Sequence, residues 1–237
     1  MRYHGLSLVV GLLTLGACAP LQLEVPARLV DHRIAVVRSG HELTFGEFSI
    51  TTEEPKSHFQ RTSWATMLQD EQVRARHIFG FSLRVRGDIV DEVACERDSL
   101  ETSHSNGFAV FSRRQHDLDC VFTTPTGERR GALSMTARQS VHELRGRLVR
   151  AAVSLELTPS EHPAGPDFDT GDAFAPAGYE LHVGGVQVGA VETVNGGAVW
   201  IDPRAPPWLR KYVALAAAVL LIHRGLESDG PMVSTTF

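Results

Sequence analysis

The chain lacks every short signature that announces familiar chemistry. His142-Glu143 is followed by Gly146 at the position where a zinc protease needs its second histidine. A G-x-S-x-G elbow, a P-loop and a dinucleotide fingerprint are missing as well. No catalytic residue, metal ligand or cofactor is therefore expected from motif. Lysine is scarce: Lys56 and Lys211 are the only two, and arginine supplies the rest of the 23 basic residues. Against 28 acids this leaves a net charge of −5, a poor balance for binding polyanions, so nucleic acid is not an expected partner. Long apolar runs are also missing. The uncharged stretch from Gly5 to Gly16 is too short for a permanent membrane-spanning helix, which needs about 20 residues.

That stretch has a different use. Arg2 and His4 give a short basic start, the Leu- and Val-rich run follows, and Leu15-Gly16-Ala17-Cys18 closes it. The four residues resemble the lipobox of bacterial lipoproteins, with Leu three positions before Cys and small residues between. The resemblance implies a leader over residues 1–17, cleavage before Cys18, and acylation of Cys18. Each buried acyl methylene is worth about 0.8 kcal/mol, so two or three chains hold a protein to a bilayer almost irreversibly. Residue 19 is Ala and not Asp, which by the same resemblance favours the periplasmic face of the outer membrane.

The mature chain keeps 220 of the 237 residues and, having lost Arg2, moves from −5 to −6. That is the size of one domain, expected over residues 31–225, with a tethering linker over 18–30 and a tail over 226–237. Cysteine is scarce too. With Cys18 acylated, Cys95 and Cys120 form an even remainder in a compartment that permits disulfides, and they are expected to pair.

The pattern along the chain is mainly β. Ile34–Arg38 and Leu43–Ile50 read as strands, and Phe81, Leu83 and Val85 alternate with polar partners up to a turn at Gly87-Asp88. Ile89–Cys95, Leu118–Thr123, Gly131–Arg138 and Leu144–Thr158 continue the series, with a polar loop around Ser103–Gly107. Thr62–Ala75, with Trp64, Met67 and Leu68 at helical spacing, reads as a short helix. Residues 159–178, with four prolines, form a long loop. Asp167, Asp169 and Asp172 surround Gly171 there, but the order of acid and glycine differs from a calcium loop, so a solvated acidic loop is expected. Of the 11 histidines, His116 beside Asp117 and Asp119 makes the densest group, expected as solvated loop before a strand.

The C-terminal third is the most explicit. Tyr179–Val183, Val186–Val194 and Ala198–Ile201 read as three strands joined by Gly184-Gly185 and Asn195-Gly196, the latter a strong hairpin signal. Pro206-Pro207 then starts a helix over about 208–224. Its segment Val213–Ile222 has no polar residue on any face, yet ten helical residues cover only about 15 Å, half a bilayer core, so the helix belongs inside protein. This combination resembles the end of tubby-like and LURP-type domains, in which antiparallel strands close around an apolar C-terminal helix. The likeness covers Tyr179–Arg224 and carries no basic pocket with it.

The expected fold class is therefore mainly β (α+β): an antiparallel, barrel-like sheet wrapped around one apolar C-terminal helix. The expected function is that of a membrane-tethered envelope lipoprotein acting as a non-catalytic binding or assembly module. Its partners are the bilayer, through acylated Cys18, and an envelope protein or glycan. The alternatives are an envelope hydrolase with a non-motif site and a lipid-binding protein of tubby-like fold.

Overall fold

The structure is a computed structural model that describes residues 22–23, 25–65, 69–105, 110–137, 144–160, 163–164 and 177–228. Cys18, His142-Glu143 and Asp167, Asp169 and Asp172 lie outside them. In chain order the elements are β1 (Gln22–Leu23), α1 (Ala27–Val30), β2 (Arg33–Ala35), β3 (Val37–Ser39), β4 (Glu42–Phe45), β5 (Phe48–Thr52), β6 (Lys56–Ala65), β7 (Gln69–Val85) and β8 (Asp88–Ser105). There follow β9 (Val110–Thr123), β10 (Arg129–Ala137), β11 (Arg145–Arg150), β12 (Val153–Pro159), β13 (Pro163–Ala164), β14 (Gly178–Val183), β15 (Val186–Glu192), β16 (Ala198–Ile201) and α2 (Pro207–Ser228).

One antiparallel sheet runs in the order β2-β16-β15-β14-β12-β11-β10-β9-β8-β7-β5-β4-β3. Its two ends, β2 and β3, are consecutive in the chain and interrupted only at Val36, whose amide donates to Gly197. The sheet thus comes close to closing on itself. Counting that stretch once, twelve strand positions surround α2, where Val213–Leu221 are at most 5% exposed. Inward residues of the strands, among them Phe45, Ile50, Leu83, Phe122, Leu148, Leu157 and Leu181, form one core with the helix. Period-two alternation explains the strands: Leu118, Cys120 and Phe122 point inward between exposed neighbours. Close contact between sheet and helix depends on Gly189, where a Cβ would stand 2.8 Å from a Val213 methyl and 2.7 Å from the Trp200 carbonyl. The barrel-like sheet around one apolar helix is the architecture expected from the sequence.

The C-terminal meander has its expected strands and both tight turns, with Asn195 and Gly196 at φ 53° and 84°. The segment expected to form a helix, Thr62–Ala75, is instead strand in its described residues, Met67 and Leu68 lying outside them: β6 and β7 pair antiparallel from Lys56 with Ile78 to Ala65 with Gln69. Non-local pairing of β7 with β8 over its full length outweighs the local helical spacing. Leu43–Ile50 is not one strand but the β4–β5 hairpin, turning at Gly46-Glu47. Leu144–Thr158 is likewise the β11–β12 hairpin, turning at Ala151-Ala152. Strand β8 runs to Ser105, into the segment expected as polar loop.

Strands β7, β8 and β9 are 17, 18 and 14 residues long, far beyond the 4–7 residues of β4, β14, β15 and β16. Their outer halves, joined by β6, leave the barrel wall as a projecting sheet. Within the stretch expected as linker, Leu23 and Leu29 are buried. With Ala190, Ala198 and Trp200 they form a second, smaller cluster on the outer face of β15 and β16.

Candidate functional site

Of the sequence-predicted site residues, the described part of the chain contains the cysteine pair. Cys95 and Cys120 are directly opposed in the β8–β9 register and form a disulfide. The bridge sits on the inward face where the barrel wall passes into the projecting sheet, and its role is structural.

His116 is placed differently from expectation. It lies in β9 and is buried, in phase with the inward-facing Leu118, not in a solvated loop. Asp117 and Asp119 are therefore not convergent with it. Asp117 accepts hydrogen bonds from Thr136 at 2.7 Å and Gln115 at 2.9 Å, and Asp119 is exposed. Two other basic residues share the inward side at this level: His77 and Arg97, opposed in the β7–β8 register and both buried. Burial, and then the charge of Arg97, hold the His77 pKa below its ordinary 6.5. Its Nδ1 lies 2.9 Å from the Ser57 hydroxyl. Among the described residues no group of three His, Cys, Asp or Glu side chains converges as a metal site.

The other face of the projecting sheet is polar. Gln60, Gln72, Arg74 and Leu100, which neighbour one another in the β6–β7–β8 register, line a cleft of about 330 Å³. Beside it Arg76 and Glu96 pair at 2.6 Å, which raises the Arg76 pKa. Both partners are about half exposed, so the pair contributes little to stability.

A charged group missed by motif reasoning occupies the end of the barrel where α2 begins. Asp91 is fully buried, and Nη1 of Arg150 lies 3.1 Å from each of its carboxylate oxygens, with hydrogen-bond geometry at Oδ2 alone. The Arg150 guanidinium stacks over the Tyr212 ring at 5.1 Å, a cation–π contact that fixes its plane. Arg130 approaches Asp91 Oδ1 at 4.0 Å from a position 39% exposed. Lys211 stands near all three: burial lowers its pKa, Asp91 opposes the fall, and Arg150 and Arg130 add to it. Three cations face one carboxylate. The signal was in the sequence as phase, because Asp91 falls in step with the inward Val93 and Cys95, and Arg150 with Leu148.

Comparison with protein families, with curated proteins and with solved structures found no match to this chain. Among the described residues no helix is long and apolar enough to cross a membrane.

Proposed function

We propose that this protein is a lipoprotein of the bacterial envelope, anchored through acylated Cys18 on the periplasmic face of the outer membrane, and that it works there as a non-catalytic binding or assembly module. The observation that carries the binding reading is the filled barrel. A carrier of acyl chains needs an apolar cavity, and here the buried Val213–Leu221 segment occupies that space in contact with the strands. What remains available for recognition is outside: the polar projecting sheet with its cleft, and the charged end around Asp91.

The docked N-terminal segment supports a defined geometry for the anchor. Five Cα steps separate Cys18 from the buried Leu23, and at roughly 3.3–3.6 Å each they span at most about 18 Å. A Cβ on Gly178 would stand 3.0 Å from the Leu23 side chain, so Leu23, the anchor's near end, lies beside β14. Strand β7 is six positions from β14 in either direction around the ring. The tether therefore holds the β14 side near the bilayer while the projecting sheet stands on the opposite wall, free to meet a partner.

The reading is tested by Cys18→Ser with metabolic labelling by an alkyne palmitate analogue and cell fractionation. The parent chain is expected to take label and sediment with membranes, and the variant to do neither. A variant that stays unlabelled yet remains membrane-held to the parent's extent would remove the lipid anchor.

A further inference from the structure

We propose that the end of the barrel where α2 begins binds an anionic saccharide, with its phosphate or carboxylate group held by Lys211 and Arg130 and its sugar ring laid against Trp208. This names a ligand class for the binding module proposed above, but it stands on the geometry of that end and not on the anchor.

The charge balance is the first observation. Asp91 is engaged by Arg150, which is itself 8% exposed and backed by Tyr212. Arg130 and Lys211 then remain as two cations beside a carboxylate already neutralised, and neither side chain makes a hydrogen bond to another described residue. Both are partly exposed, so their donors are available to a ligand. The site also lies along the first two turns of a 22-residue helix, whose dipole adds positive potential at that end. Together these features make a potential well for an oxyanion in a chain that is negative overall.

The second observation is Trp208, 45% exposed and three residues before Lys211, hence on the same face of α2. Its ring meets Tyr212 edge-on at 5.4 Å, and Tyr212 carries Arg150, so indole, phenol, guanidinium and Asp91 form one connected stack. An exposed indole held this way is a flat apolar platform, and the C–H face of a pyranose matches it. A small inorganic anion uses the cations alone, whereas a sugar acid or sugar phosphate uses platform and cations together.

The test is calorimetric titration of the full chain, isolated from whichever cell fraction holds it, at low ionic strength. The probes are glucose 1-phosphate and glucuronate, with glucose and inorganic phosphate beside them. At least one anionic sugar is expected to bind about tenfold or more tightly than glucose and inorganic phosphate. Lys211→Met and Arg130→Gln are each expected to weaken it by about tenfold or more, the loss of one charge-assisted hydrogen bond. Trp208→Ala is expected to weaken the sugar while leaving inorganic phosphate unchanged. Arg204→Gln, at the same end but engaged with Asp202 at 3.2 Å, is expected to bind as the parent does. All four side chains are surface groups whose variants can be verified as folded by their melting curves. The proposal is overturned if neither anionic sugar binds. It is also overturned if inorganic phosphate matches them, the result of an adventitious ion only, or if Lys211→Met and Arg130→Gln bind as the parent does. Because the titration needs no lipid, failure here leaves the Cys18 reading intact, and failure of the Cys18 reading leaves this site intact.

Discussion

Replacing Asp91 with alanine strands a charge. Arg150 lies with Nη1 3.1 Å from each Asp91 oxygen, Tyr212 covers one face of its guanidinium, and its side chain is 8% exposed, so it cannot turn into water when the carboxylate is removed. Breaking a buried pair in this way costs about 3–5 kcal/mol, most of it the uncompensated cation. Arg130, at 4.0 Å and 39% exposed, can swing outward, and its share is that of a surface pair, below about 1 kcal/mol. For a domain of this size each kcal/mol moves the melting temperature by about 2–4 °C, so Asp91→Ala is expected to melt roughly 6–20 °C lower. Urea unfolding of the oxidised protein provides the measurement, with the midpoint falling and the slope unchanged. Adding Arg150→Met to Asp91→Ala removes the stranded charge, so the double variant is expected to be more stable than Asp91→Ala alone. An Asp91→Ala protein within about 1 kcal/mol of the parent, or single costs that simply add in the double variant, would refute the buried pair as described.

Three further perturbations address the rest of the fold. Gly189→Ala puts a methyl 2.7 Å from the Trp200 carbonyl and 2.8 Å from Val213, which forces α2 away from the wall; a loss of about 1–3 kcal/mol in thermal unfolding is expected. Converting both Cys95 and Cys120 to alanine opens a loop of sequence separation 25 and is expected to lower stability by about 3.5 kcal/mol on the chain-entropy account, read from urea midpoints under non-reducing conditions. His77 has a folded pKa below 6.5, so between that lower value and 6.5 the unfolded chain binds more protons than the folded one. Its contribution is complete above pH 6.5 and declines as pH falls through the window, and His77→Gln is expected to flatten the decline between about pH 7.5 and about pH 5.5.

The legibility of this fold in its sequence follows where burial writes a pattern. The Tyr179 meander and α2 were readable because their residues are buried on one face or on all, and because Asn195-Gly196 admits little but a tight turn. The cysteine pair was readable by elimination, and its exact cross-strand register was not. The projecting sheet misled because its buried phase is small or polar, as at Ala75 and His77. The alternation of Val73, Ala75 and His77 with Arg74 and Arg76 is short and weakly apolar, so the brief spacing of Trp64, Met67 and Leu68 carried the reading toward helix. The hairpin inside Leu144–Thr158 was invisible because Ala151, at φ 51°, is not a strong turn residue, and the one inside Leu43–Ile50 was signalled by Gly46 alone. His116 could have been placed by extending the inward phase of Leu118, Cys120 and Phe122 two residues back. Asp91 and Arg150 were overlooked because a charge at an inward position looks like an interruption of the pattern until its partner, 59 residues away, is known.

The stretch Arg33–Ser39, which joins the two ends of the sheet, sets the order of events during biosynthesis. Its β2 half has no partner until β16 has been translated, and the Arg33–Glu192 ion pair alone spans 159 residues of sequence. The plug that fills the ring comes later still. Nascent chains shorter than about 200 residues therefore carry an open sheet edge and an uncovered apolar lumen, a combination prone to aggregation, and the slow search implied by such distant pairings begins only once β16 has been made.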